Sequence, residues 1–181
     1  MTAPLVIVSG NPRPASRTLA VAESVATAAA RAMGIESGAE RVTIDLALYG
    51  PELFDWSSAT VRRLADGLSA ARLAVVASPT YKATYTGLLK AFLDWFPQTG
   101  LAGVVAVPVM VGAGPGHSLA VEVHLRPLLV EIGATVPSRG LYVTEDRLEE
   151  LPAVIDEWLV QARPALQAFA PSSASDLGRG G

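Results

Sequence analysis

Residues 5–18 read LVIVSGNPRPASRT, so an apolar run gives way within a few positions to a small, basic loop rich in hydroxyl groups. Four consecutive branched aliphatic residues predict a strand buried on both faces, as in the centre of a parallel sheet. The loop that follows offers Gly10, the side chains of Arg13 and Arg17, and the free amides of the next helix's first turn. These groups together predict a phosphate-binding site at the carboxyl end of the strand.

The loop is not a Walker loop, because it contains no lysine. It therefore favours a phosphate monoester held by arginine and hydroxyl groups over a nucleoside triphosphate that is hydrolysed. The alternative is that Ser16 only caps the helix and that the two arginines are solvated.

The composition excludes several classes of function. The 181 residues carry a formal net charge of -3 and have a pI near 5.4, which gives no general attraction to nucleic acid or anionic lipid. The chain has no cysteine and two histidines, so disulfides and thiol nucleophiles are excluded and no metal site is expected. The mean hydropathy of +0.37 is high for a soluble chain and predicts that another subunit covers some apolar surface.

The length predicts one domain over residues 1–170, followed by a small polar tail at 171–181 that is expected to be disordered. The N-terminal residues lack a signal-peptide pattern, and the longest apolar run, residues 101–113, is too short to span a bilayer. We therefore expect a cytoplasmic protein that does not bind membranes.

Strand and helix patterns alternate along the chain. Strands are predicted at residues 5–8, 41–46, 73–77, 104–111 and 140–143, and helices at 16–33, from about 58 to 68, 87–96, 118–132 and 148–169. This alternation predicts an α/β fold with a parallel sheet, helices on both faces and the strand order 2-1-3-4-5. In that order the loops after strands 1, 3 and 4 meet at one edge of the sheet.

These three loops differ in chemistry. The first has the arginines and hydroxyls, the second has Pro79 and Tyr81, and the third has three glycines. A phosphate site, an aromatic contact and a close-packed backbone at one place fit a flavin mononucleotide (FMN). The alternatives are that Tyr81 is only a packing residue, that the glycines only form a turn, and that His117 only caps the next helix.

Three motifs carry a resemblance to a known family: GNPRxxSRT from Gly10, SPTYKATYTGLLK from Ser78 and VGAGPGH from Val111. They are similar to the motifs of NADPH-dependent FMN reductases, and most of all to the reductases that supply FMNH2 to alkanesulfonate monooxygenases. The similarity runs from residue 5 to residue 144 and is most specific in the middle motif. The resemblance implies a flavodoxin-like three-layer sandwich with a five-stranded sheet.

The resemblance also implies which residues bind the flavin. Those for the phosphate are Ser9, Asn11, Arg13, Ser16, Arg17 and Thr18, those flanking the isoalloxazine are Pro79, Thr80 and Tyr81, and those along its other edge are Gly112, Ala113, Gly114 and His117. Asn11 stands where the family often has serine, although its amide can also donate to a phosphate oxygen.

The implied reaction is hydride transfer from NADPH, or from NADH, to N5 of FMN, with no catalytic side chain and no metal. The main hypothesis is a two-component system in which reduced flavin passes to a partner monooxygenase, with sulfonate desulfonation as one such system. One alternative is a reductase of quinones, azo dyes or metal oxyanions that retains its FMN. Another is an electron-carrier flavodoxin, which the nearly neutral charge disfavours because flavodoxins are usually strongly acidic.

The resemblance implies a homodimer or homotetramer. The predicted helix at 87–96 supports this, because its apolar residues exceed what one sheet face is expected to cover. These residues are Leu88, Leu89, Phe92, Trp95 and Phe96.

Two prolines conflict with the elements in which they lie. Pro108 falls within a predicted buried strand, where we expect a bulge or an early end to the pairing. Pro127 falls within a predicted helix and removes the hydrogen bond to the Val123 carbonyl, so we expect a kink or a π-bulge at Val123 and His124. Some reductases that resemble this chain have such a bulge at a subunit contact beside the flavin, where it accompanies the use of flavin as a substrate.

Overall fold

The computed structural model describes residues 4–170. Five strands form one sheet: β1 (Leu5–Ser9), β2 (Arg41–Asp45), β3 (Leu73–Pro79), β4 (Val105–Gly112) and β5 (Leu141–Thr144). All neighbouring strands are parallel and lie in the order β2-β1-β3-β4-β5, so the predicted topology is confirmed. The predicted disordered tail at 171–181 lies outside the described residues.

Helices cover both faces of the sheet: α1 (Arg17–Ala32), α2 (Ala59–Ser69), α3 (Gly87–Leu93), α4 (Arg126–Glu131) and α5 (Leu151–Gln167). The core on one face contains side chains of α1 and α5, and the core on the other contains those of α2, α3 and α4. Strand alternation divides the residues between them, since Ile7 and Val75 join the first core while Val8 and Val76 join the second. The result is a three-layer sandwich.

The register of the sheet brings the carboxyl ends of its strands to one edge. Ser9 at the end of β1 lies opposite Asp45 of β2 and Ala77 of β3. Farther along, Pro79 of β3 lies opposite Val111 of β4. The loops that leave β1, β3 and β4 therefore begin close together in space, at this edge of the sheet.

The segment between β2 and α2 covers the outer side of α3, and the sequence did not predict this. The indole nitrogen of Trp95 donates a hydrogen bond to the Leu53 carbonyl at 3.0 Å, and the ring centroids of Trp95 and Trp56 are 5.0 Å apart. Phe92 and Phe96 are buried within the protomer. The apolar side chains of α3 are thus buried or half-buried within the protomer, while Leu48, Phe54 and Trp56 of the covering segment are exposed.

β4 runs without interruption through Pro108, which pairs with Val76 of β3, so the predicted bulge or early end is wrong. On the other side of the strand, the Ala106 amide donates to the Thr135 carbonyl at 2.8 Å. Because amide directions alternate along a strand, the nitrogen of residue 108 faces that same side, and pairing with β5 begins only at Val109. The missing amide therefore falls in a gap between two paired stretches.

The predicted helix at 118–132 is interrupted as Pro127 requires. Val121–Leu125 form a π-helical turn, in which the Arg126 amide donates to the Val121 carbonyl, and α4 follows directly. The prediction of a π-bulge that includes Val123 and His124 is confirmed. His124 is exposed on this protomer.

Gly10 marks the closest approach between the loop after β1 and α3. A Cβ atom at this position would lie 2.5 Å from the Leu89 Cβ, which is far inside the normal contact distance. The Leu89 atom belongs to the helix framework and cannot swing aside, so a larger residue requires the helix to move.

We expect Gly10→Ala to lower the free energy of unfolding by about 1–3 kcal/mol, because the added methyl group pushes α3 away from the sheet. Gly67→Ala is the matched control, since its Cβ meets nothing within 4 Å and alanine favours the helix. Urea denaturation of both variants measures the difference. An equal stability of the two variants would contradict the close-contact argument.

We expect the protein to assemble through the covering segment, where Phe54 is 72% and Trp56 59% exposed. Phe54→Ser should shift the protein toward the monomer in sedimentation velocity at micromolar concentration. Val160→Ser, which alters an equally exposed apolar residue on α5, is the control and should leave the assembly unchanged. A wild-type protein that sediments as a monomer contradicts the prediction.

Candidate functional site

A cleft of about 350 Å³ opens at the carboxyl edge of the sheet. A volume of this size is within the range of small-molecule sites. The loop after β1 forms one wall, and the ends of β3 and β4 and the residue after β5 form the rest. The residues that line it are Asn11, Arg13, Pro14, Ala15, Ser16, Arg17, Thr18, Pro79, Tyr81, Val111 and Glu145.

Seven residues of the predicted flavin site line this cleft, and the other six do not. The seven are Asn11, Arg13, Ser16, Arg17, Thr18, Pro79 and Tyr81. Ser9 ends β1 and Thr80 directly follows β3, while Gly112 ends β4 and Ala113, Gly114 and His117 follow it in the adjoining loop. The roles of all thirteen remain predictions.

The loop after β1 is shaped by its own side chains. The side-chain nitrogen of Asn11 (Nδ2) donates to the Thr18 hydroxyl oxygen at 3.1 Å, and its side-chain oxygen (Oδ1) accepts from the Arg13 backbone amide at 2.9 Å. Ser16 caps α1 by accepting from the Leu19 amide at 3.2 Å. Asn11 thus folds the loop onto the start of the helix, which a serine side chain is too short to do in the same way.

Several hydrogen-bond donors of this loop and of the start of α1 remain free, and their residues line the cleft. The amides of Arg17 and Thr18, in the first turn of α1, have no hydrogen-bond partner within residues 4–170. Ser16 accepts a bond but keeps its hydroxyl proton available, and the exposed Arg13 side chain forms no ion pair among the described residues. Two helix amides, a hydroxyl and an arginine form a site suited to a phosphate group.

Asp45 anchors this loop from the neighbouring strand, and sequence reasoning missed it. Its carboxylate accepts the Ala15 amide at 2.9 Å and the Ala47 amide at 3.4 Å. Ala15 has φ +49°, in the left-handed region that non-glycine residues rarely adopt. The available signal was an acidic residue at the end of a strand paired with β1, where it faces the same edge of the sheet.

Thr86 connects the first loop to the second. It caps α3 by accepting from the Leu89 amide at 3.1 Å, and its hydroxyl donates to the Gly10 carbonyl at 2.6 Å. Its own amide donates to the Ser78 hydroxyl at 3.0 Å. The β1 loop, the β3 end and α3 are therefore held together by one buried threonine.

A tight turn presents Tyr81 at the cleft. Tyr81 and Thr84 exchange two backbone hydrogen bonds, and the residues between them, Lys82 and Ala83, have φ +51° and +68°. Positive φ at both central positions is the geometry of a type I′ turn and costs roughly 1–2 kcal/mol for each non-glycine residue. Strain of this kind persists at functional sites where the surrounding structure enforces it.

The glycine loop after β4 is fixed by Tyr142, which the sequence analysis did not select. The Tyr142 hydroxyl donates to the Gly114 carbonyl at 3.0 Å and lies 1.9 Å from where a Cβ on Gly112 would be, so a larger residue at position 112 would displace the Tyr142 side chain. The Thr80 hydroxyl lies beside Gly112, is buried and has no partner among the described residues. A buried hydroxyl of this kind is expected to meet a ligand or water.

Charge at the mouth of the cleft is divided between two arginines and one acid. Arg17 forms an ion pair with Glu145, with 3.2 Å between Nη2 and Oε2. Glu145 is the one carboxylate among the cleft-lining residues of the described chain. In residues 4–170 no three His, Cys, Asp or Glu side chains are grouped to hold a metal, and no helix there is long and apolar enough to cross a membrane.

The family model for NADPH-dependent FMN reductase matches residues 4–147. The chain is 29% identical over 174 residues to an FMN reductase (NADPH) of Pseudomonas aeruginosa, with 94% of each chain covered. It is 31% identical over 148 residues to the NADH-dependent FMN reductase SfnF of Pseudomonas putida, with 81% of this chain and 80% of that one covered. Its matches to FMN reductases (NADPH) of Pseudomonas putida and Escherichia coli span only 47% and 41% of those proteins.

A solved structure of an NADH:FMN oxidoreductase (EMOB), in its apo form, has the same architecture. It superposes with a TM-score of 0.68 at 32% sequence identity, over 96% of this chain and 93% of that one. This similarity confirms the predicted flavodoxin-like fold. Since the family model covers well over half of the sequence, the chain belongs to the NADPH-dependent FMN reductase family, as its three motifs predicted.

Proposed function

We propose that this protein is an NAD(P)H:FMN oxidoreductase whose flavin site is the cleft at the carboxyl edge of the sheet. The observation that carries the proposal is the set of free phosphate donors at the start of α1, in the same cleft that Tyr81 lines. Family membership supports FMN as the phosphate ester that these donors bind.

The residues present fit FMN in two respects. The amides of Arg17 and Thr18 with the Arg13 guanidinium match a terminal phosphate, which prefers charge-assisted and helix N-terminal donors. Tyr81 lines the cleft and offers an aromatic face to the flavin ring. The unpartnered Thr80 hydroxyl, beside Gly112, offers a hydrogen bond to the polar edge of that ring. We assign Gly112, Ala113 and Gly114 to the neighbouring wall, where Tyr142 keeps the backbone close.

The bound flavin would supply the hydride-accepting ring, which is chemistry that no side chain provides. The chain's own residues contribute position: Asp45 and Asn11 fix the phosphate loop, Thr86 fixes its distance from β3, and the Tyr81 turn is held rigid by two backbone bonds. Correct placement of the reacting groups is itself a large contribution to rate.

We further propose that reduced FMN leaves this site and serves a partner monooxygenase. The resemblance to reductases of alkanesulfonate systems supports it. The π-helical turn at Val121–Leu125 also supports it, because some reductases that resemble this chain have such a bulge. The names of the relatives include both NADPH and NADH, so both donors belong in the test.

The deciding experiment is steady-state oxidation of NADPH and NADH by the purified protein, with and without added FMN. We expect turnover that requires free FMN and saturates with it, because the flavin acts as a substrate. Turnover that is complete without added FMN, in a protein that purifies yellow, points instead to a reductase that retains its flavin. No oxidation of either nucleotide contradicts the proposed activity.

Arg13→Ala tests the phosphate site. Loss of one charge-assisted hydrogen bond, worth roughly 1.5–3 kcal/mol, should weaken FMN binding by about ten- to a hundredfold and leave riboflavin binding unchanged. Arg163→Ala removes an exposed arginine on α5 and serves as the control. Fluorescence titration of both flavins measures the effect, and equal losses for FMN and riboflavin remove the phosphate role from Arg13.

A further inference from the structure

Glu145 stands in an unexpected place for a protein that binds an anion. It follows β5 directly, at the start of a 3-10 helix (Glu145–Glu150), and it lines the same cleft as Arg13, Ser16 and Thr18. A carboxylate at the rim of a phosphate site opposes the ligand, because like charges repel across a small cleft.

Glu145 forms an ion pair with Arg17, which is itself part of the proposed phosphate site. Its Oε2 atom lies 3.2 Å from Nη2 of Arg17, and Arg17 is the first residue of α1, whose amide belongs to the phosphate site. The side chains of Arg17 and Glu145 are 68% and 45% exposed, so the ion pair contributes little to folding stability. The pair can therefore open when a ligand binds without much loss of folding stability.

We propose that Glu145 competes with the flavin phosphate for the Arg17 side chain and thereby keeps the affinity for FMN low. The inference rests on the proposed function, in which FMN must enter and reduced FMN must leave. Arg13 has no ion-pair partner in the described chain and remains available to the phosphate. Arg17, in contrast, contacts Glu145 through Nη2, so the carboxylate offsets part of the positive charge that Arg17 would offer to the phosphate.

Other charges around the pair do not replace Glu145. Arg147, two residues farther along, is held by Glu150 and Glu157 and does not contact the pair. Asp45 is buried, and its carboxylate already accepts the Ala15 and Ala47 amides. The competition therefore involves one acid and one arginine, and both are exposed enough to change without refolding the protein.

Glu145→Gln tests the proposal as a gain of binding, which a damaged fold cannot imitate. Freed from its partner, Arg17 should tighten FMN binding by about three- to tenfold and slow FMN dissociation by a similar factor, while riboflavin binding stays unchanged. Glu149→Gln is the matched control, because it makes the same change of charge on the same short helix, outside the cleft. Flavin fluorescence titration and stopped-flow dissociation provide readouts independent of turnover.

The double variant Arg17→Ala with Glu145→Gln decides whether the effect passes through Arg17. Competition predicts that most of the gain disappears when Arg17 is absent. The proposal would be overturned if Glu145→Gln did not tighten FMN binding, or if it tightened riboflavin binding equally. It would also be overturned if Glu149→Gln tightened FMN binding equally, or if Glu145→Gln had its full effect in the absence of Arg17.

These outcomes are separable from failure of the proposed function. Suppose that Arg13→Ala weakens binding of FMN but not of riboflavin, and that the wild type oxidises NADPH or NADH with FMN. If Glu145→Gln then binds FMN as the wild type does, only the proposed role of Glu145 is wrong. If the wild type and Glu145→Gln both bind FMN and riboflavin with equal affinity, the assignment of the phosphate site is wrong, and the proposed competition is wrong as well.

Discussion

The site depends on the packing around Gly10, where three elements meet with no room for a side chain. The Gly10 amide donates to the Ala77 carbonyl of β3 at 2.8 Å, and its carbonyl accepts the Thr86 hydroxyl at 2.6 Å. A Cβ here would collide with Leu89 of α3. The phosphate loop, the end of β3 and the start of α3 are thus fixed relative to one another by one residue. The cleft residues of the β1 loop and of the end of β3 therefore take their positions from this junction.

Much of the fold could be predicted from the sequence because its signals are local. Buried strands such as β1 and β3 are continuous apolar runs, and the caps Ser16 and Thr86 mark where helices begin. The proline-induced π-helical turn was also predictable, since the loss of one backbone amide is a property of a single position. Parallel order then followed from general rules on crossovers and on where ligands bind.

The parts that could not be predicted depend on contacts between distant residues. Asp45 reaches the phosphate loop across 30 positions, and Glu145 approaches Arg17 only because β5 ends at the same edge as β1. The covering of α3 by the segment around Leu53 is of the same kind, because that segment has no periodic pattern that indicates a packing partner. In each case the partner of the residue became known only once the chain had folded.

The two prolines that conflicted with the sequence patterns act at one place, on either side of Gly140. A Cβ on Gly140 would lie 2.6 Å from Val121 of the π-helical turn and 3.0 Å from the Pro108 ring. The Gly140 amide donates to Glu122 at 2.6 Å, and Glu122 pairs in turn with Arg126, which donates to the Val136 and Ser138 carbonyls. The start of β5 is therefore fixed by the π-helical turn on one side and by β4 on the other. Because β5 is only four residues long, this anchor also sets where the strand ends, and so it places the residue that faces Arg17 across the cleft.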